Sequence, residues 1–118
     1  MSKKKEGVRQ SFEKGYRVIN GDVIYNGKIR KLYPHIKRRD SNTIAYYSFG
    51  IRTKEGSRIE IYVHQLVAYQ KFGEDSFDEN IEVRHIDGNS LNNKEENILI
   101  GSKSQNRRDY LRLQEHKK

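Results

Sequence analysis

The chain has 118 residues, 33% hydrophobic and 34% charged, with a formal net charge of +8 and no cysteine. That length suits one domain with a modest core, and the missing cysteine excludes disulfides and every thiolate zinc site. No run approaches the roughly 18 to 20 apolar residues of a membrane span or the apolar stretch of a secretory signal, so a cytoplasmic protein with no membrane partner is expected.

In chain order, residues 1–14 are polar, carry Lys3, Lys4 and Lys5 in a row, and show no helical or strand period, which predicts a basic flexible arm. Runs at Tyr16–Ile19, Asp22–Tyr25 and Lys28–Leu32 are separated by Asn20-Gly21 and Asn26-Gly27, the strongest short hairpin signal, so a small antiparallel meander is expected. Lys37, Arg38, Arg39 and Asp40 read as a charged loop. Ile44–Arg52 and Arg58–Val63, rich in aromatic and β-branched residues around a Lys54–Ser57 turn, predict a longer hairpin.

The spacing of Leu66, Val67, Ala68, Tyr69 and Phe72 turns helical and ends at Gly73, giving one helix to pack on the sheet. After an acidic loop from Glu74 to Asn80, Glu82–Ile86 reads as a strand, Asp87-Gly88-Asn89 as a turn, and Ile98–Ile100 as the returning strand. Ser102 and Gln105 stand in capping-box spacing and open a helix with Asn106, Tyr110 and Leu113 on one face.

Charge is uneven along this order. Through Asp40 there are 12 basic and 4 acidic residues, from Ser41 to Ile100 there are 6 and 10, and from Gly101 onward 6 and 2. Basic ends favour a polyanionic partner, because each neutralised phosphate releases condensed counterions.

Three stretches carry a family pattern: Arg84-His85-Ile86-Asp87-Gly88-Asn89-Ser90-Leu91-Asn92-Asn93, Glu96-Asn97-Ile98-Leu99, and Gly101-Ser102-Lys103-Ser104-Gln105-Asn106. With Asn97 12 residues after His85 and Asn106 9 after Asn97, they resemble the HNH motif of ββα-metal (His-Me finger) endonucleases, in the subgroup common among phage and homing enzymes. Val63–Ala68 is similar to the segment that precedes the motif there, so the resemblance runs from about Tyr62 to Asp109. It implies an α+β fold, with an N-terminal antiparallel sheet and one packed helix followed by a ββα-metal finger at about 82–116. Residues 15–118 would form a single HNH domain.

The resemblance also implies roles. His85 is the general base, and an unperturbed imidazole is mostly neutral at pH 7 and able to accept a proton. Asn106 ligates a hard cation, Mg²⁺ or Mn²⁺ and not zinc, through its amide oxygen. Asn97 bonds across the loop and holds the base in place. Arg84 departs from relatives that carry a metal-binding Asp there. Either the ion is held through Asn106, waters and DNA phosphates while Arg84 clamps a phosphate, or catalysis has been lost.

Asp109 offers a second carboxylate or a salt link, Asp87 reads as a turn residue, and His64 as a brace near the site. His35 and His116 carry no partner pattern. Lys103, Arg107 and Arg108 with Arg84 would rim the cleft, while Lys37, Arg38 and Arg39 track the DNA backbone outside it. The expected partner is double-stranded DNA, bound by a monomer or homodimer. Two other classes stay open: a non-cleaving DNA-binding protein on a degenerate HNH scaffold, and a small basic protein that binds RNA on its sheet.

Overall fold

Two Asn-Gly pairs set the first sheet. Asn20 and Gly21, and then Asn26 and Gly27, all take positive φ (52°, 87°, 52° and 73°), the backbone a two-residue type I′ hairpin requires. They join β1 (Arg17–Ile19), β2 (Asp22–Tyr25) and β3 (Lys28–Ile29) into the expected antiparallel meander. The computed structural model describes residues 3–39 and 42–102.

A second antiparallel sheet has the order β4 (Tyr33–Arg39), β5 (Asn42–Arg52), β6 (Arg58–Tyr62). The period of two gives it a core face, where Phe49, Ile51 and Ile61 are buried, and an opposite face carrying Tyr46, Ser48, Gly50 and Arg52. The charged loop expected at 37–40 is corrected over its described part, 37–39. Lys37, Arg38 and Arg39 continue β4, in register with Ile44, Thr43 and Asn42. Strand β4 lies at the sheet edge, so Pro34 and a charged run break no ladder on its outer side.

Helix α2 (Val63–Phe72) follows β6 without a break, burying Val63, Leu66, Val67 and Ala68 and stopping where Gly73 adopts φ 62°. It fastens the other elements together. The Gln70 amide accepts from Val18 N at 2.6 Å and donates to Val18 O at 3.1 Å, pairing with β1 as a neighbouring strand would. Lys71 Nζ donates to the carbonyls of Glu95 and Ile98, each at 2.6 Å.

Residues 3–14 are a second correction, because they form helix α1 (Lys3–Lys14) and not a loose arm. Val8 is buried, the Phe12 ring meets Tyr69 edge-on at 5.2 Å, and Arg9 donates to both carboxylate oxygens of Glu74 at 2.7 and 2.8 Å. Gly7 lets the helix lie close on β6, since a Cβ there would run into the Cδ1 atoms of Ile59 and Ile61. With Val8 and Phe12 as its main apolar contacts, this helix depends on tertiary packing more than on its own periodicity.

A short 3-10 helix, Gly73–Phe77, occupies the start of the expected acidic loop. The chain then forms the hairpin β7 (Ile81–His85) and β8 (Ile98–Ser102), with His85 opposite Ile98. The architecture is thus an N-terminal sheet-and-helix region followed by a hairpin. Ser102 ends β8, and the helix it was expected to cap lies outside the described residues. No described helix is long and apolar enough to cross a membrane.

Candidate active site

The turn after His85 is held by side-chain amides. Gly88, at φ 75°, returns its N–H to the His85 carbonyl at 3.0 Å. Asp87 Oδ1 accepts from Asn89 N at 2.8 Å and Asn97 Nδ2 at 2.9 Å, and Oδ2 accepts from Asn92 Nδ2 at 2.8 Å. In return Asn97 Oδ1 accepts from Asp87 N at 3.0 Å, and Nδ2 also donates to Asn92 O at 2.9 Å. One buried amide therefore joins both limbs of the loop. Its own carbonyl accepts from Ile86 N at 2.9 Å, fixing the residue next to His85.

Hydrogen bonds from the Asn92 side chain first, then from the Asn89 N–H and the Asn97 amide, hold the Asp87 carboxyl below its ordinary range. Because the folded-state value is depressed, the contribution to stability is present above the unfolded-state pKa and is lost as pH falls through the folded one. The expected outcome is a loop that stays closed through mildly acidic pH and loosens only below the usual aspartate range. The Asn89 amide resonance, followed by NMR from pH 7 to pH 2, reports it, and loosening already at pH 5 to 6 would contradict the assignment.

The His85 ring is held from another side. Its Nε2 lies 2.9 Å from Asn93 Oδ1, and Asn93 is 2% exposed. With the Asn93 amide oxygen as acceptor, this bond takes the proton on Nε2 and leaves the lone pair on Nδ1. His85, Val83 and Gly88 line a cleft of about 350 Å³ together with Ile44 and Tyr46 of β5, His64 at the start of α2, and Ser90. Ser90 Oγ donates to the Ala45 carbonyl, tying the loop to β5. The rings of His64 and His85 meet edge-on at 5.4 Å, and His64 contacts Tyr46 at 5.1 Å and Tyr62 at 5.5 Å.

Of the residues expected at the site, His85 and His64 share this cleft and Asn97 supports its loop. Arg84 leaves β7 on the face opposite His85, as neighbours in a strand do. Lys37, Arg38 and Arg39 lie on β4, while Lys103, Asn106, Arg107, Arg108 and Asp109 are outside the described residues. Sequence reasoning gave no role to Asn93 or Tyr46. Asn93 stands inside the motif run, eight residues after His85, and Tyr46 is marked only by the alternation of β5.

Among the described residues no group of three or more His, Cys, Asp or Glu side chains is placed to hold a metal ion. Both Asp87 oxygens are taken up by the turn, and a guanidinium at position 84 offers no lone pair. The described part of the cleft alone does not make an oxygen-rich site for a hard cation.

Residues 61–108 match the family model of HNH endonucleases. The HNH match covers fewer than half of the residues and takes in α2, the β7–β8 hairpin, His64, His85, Asn93, Asn97 and Asn106. Helix α1 and strands β1 to β5 precede it. No curated protein and no solved structure matches the chain significantly.

Proposed function

We propose that this chain is an HNH-type DNA endonuclease, dependent on Mg²⁺ or Mn²⁺, hydrolysing phosphodiester bonds to 5′-phosphate and 3′-hydroxyl ends. A phage or homing-type nuclease or nickase is the subgroup we favour, acting on double-stranded DNA. The observation that supports it best is the His85–Asn93 bond, within an HNH match, beside a cleft.

In this reading Asn93 holds the Nε2 proton, so His85 Nδ1 takes a proton from water and the resulting hydroxide attacks phosphorus in line. The bond from phosphorus to the 3′ oxygen breaks, and that oxygen takes a proton from solvent. Asn97 keeps the loop closed, so that His85 meets the phosphate in one orientation. His64 braces the ring. A divalent ion, with Asn106 as its proposed ligand, would supply positive charge at the scissile phosphate and the departing oxygen. Arg84, on the other face of β7, is proposed to hold a phosphate, with Lys103, Arg107, Arg108 and the Lys37–Arg39 run along the DNA backbone. One base per chain cuts one strand, so a double-strand break needs a second copy or a second event.

Supercoiled plasmid tests the reading. Wild type is expected to yield nicked or linear DNA with Mg²⁺ or Mn²⁺ and none with EDTA. Tight binding to duplex DNA without cutting in any divalent metal would replace the enzyme by a non-cleaving scaffold.

A further inference from the structure

A second cleft, of about 720 Å³, opens between the β1–β3 meander and the end of the β5–β6 hairpin, away from His85. Six cations line it: Lys14, Lys28, Arg30, Lys31, Arg52 and Arg58. No carboxylate lines it, and none of the six forms an ion pair with a described residue. Its floor is aromatic, with Tyr16 stacked on Tyr25 at 4.1 Å and on Phe49 at 5.4 Å.

Two details separate this cleft from ordinary surface charge. Arg52 and Arg58 are direct cross-strand partners, an arrangement of like charges that weakens a hairpin and that Glu60, two residues along β6, offsets only in part from outside the cleft. The Arg58 guanidinium also lies across the backbone of Gly50, where a Cβ would meet its Nε at 2.7 Å and its Nη2 at 2.9 Å. The absence of a side chain at Gly50 lets the fork rest on the sheet surface, placed before any ligand arrives. A planar, pre-placed guanidinium suits the two oxygens of a phosphate.

Strand β5 joins this cleft to the first. Tyr46, beside His64 in the His85 cleft, and Arg52, in the basic cleft, lie on the same face of β5, six residues apart. At about 3.3 Å per residue that is roughly 20 Å, the rise of about six base pairs. We propose that the basic cleft binds the phosphodiester backbone of duplex DNA about six base pairs from the bond presented to His85, fixing the duplex on the face of β5. The identity of the polyanion rests on the nuclease reading; the cation array does not.

The test uses the full chain in EDTA, so that no cutting intervenes, and a fluorescent 30-base-pair duplex titrated at 50 to 200 mM KCl. The triple substitution Arg30→Gln, Arg52→Gln and Arg58→Gln removes three charges and keeps most of each stem. Losing three phosphate contacts lowers the salt slope by about 2.7, so between 50 and 200 mM the variant should lose about 40-fold less affinity than wild type. A second triple, Lys14→Gln, Lys28→Gln and Lys31→Gln, lies outside the second sheet and carries the same expectation if the first variant does not fold. Wild-type affinity and slope in both folded variants, or in the lysine variant alone if the arginine variant is unfolded, would overturn the proposal. So would a wild-type chain that binds an RNA hairpin in preference to the duplex. Plasmid cutting with Mg²⁺ separates the two readings: binding that depends on the cleft without cutting removes the nuclease and leaves this site.

Discussion

Replacing His85 with alanine should lower the rate of phosphodiester cleavage by about 10² to 10⁴, the usual contribution of a positioned general base. On the proposed mechanism the loss should fall on kcat more than on KM, because there the imidazole would accept its proton in the transition state while charged side chains elsewhere would hold the DNA. Asn93→Ala tests the tautomer assignment through the same ring. It removes the acceptor at 2.9 Å and frees the proton to sit on either nitrogen, so a smaller fall in kcat is expected, with Asn93→Asp restoring most of it because a carboxylate also accepts. Plasmid cleavage under single-turnover conditions measures all three. Full activity in His85→Ala would remove the base from the mechanism, and an Asn93→Asp variant no better than Asn93→Ala would remove the tautomer argument.

Asn97 carries the second large effect, on stability. Its side chain makes three hydrogen bonds, to Asp87 N, Asp87 Oδ1 and Asn92 O, from a nearly buried position. Asn97→Ala removes all three and leaves polar partners behind, at about 1 kcal/mol each, so a cost of roughly 2 to 4 kcal/mol is expected. That is a large part of the roughly 5 to 15 kcal/mol that holds a domain together. Asn97→Asp is nearly isosteric but sets a carboxylate where Nδ2 now faces Asp87 Oδ1. Like charges so close raise a folded-state pKa, so the variant should be least stable near neutral pH and recover as pH falls through that raised value. Urea unfolding at pH 7 and pH 4.5 checks this, and an Asn97→Asp protein equally stable at both would show that the contact carries no energy.

Legibility in the sequence followed how local each signal is. The Asn-Gly turns of the meander were readable because positive φ at two successive residues is a local demand. Helix α2 was readable from the helical spacing of Leu66 to Phe72 before Gly73, although Val63, read as the end of a strand, begins it. Helix α1 was not, because its burial is decided by the fit of Gly7 and Val8 against a strand some fifty residues away. Strand β4 was hidden by Pro34 and a basic run, both signs of a loop unless the strand is an edge. At the site, the resemblance to the HNH motif singled out His85 and Asn97, whereas the partner of the His85 ring depends on how the loop folds back and turned out to be Asn93.

Edges have a consequence beyond this fold. An unpaired strand edge is a template for another chain, and β4 and β1 each lie at the edge of a described sheet. On β1 the Gln70 amide takes up both the N–H and the carbonyl of Val18, so an incoming strand finds the middle of that ladder already occupied. On β4 the ring of Pro34 removes one backbone donor from the row an incoming strand would need. Both devices act against edge-to-edge pairing, a benefit for a sheet-rich chain with a small core.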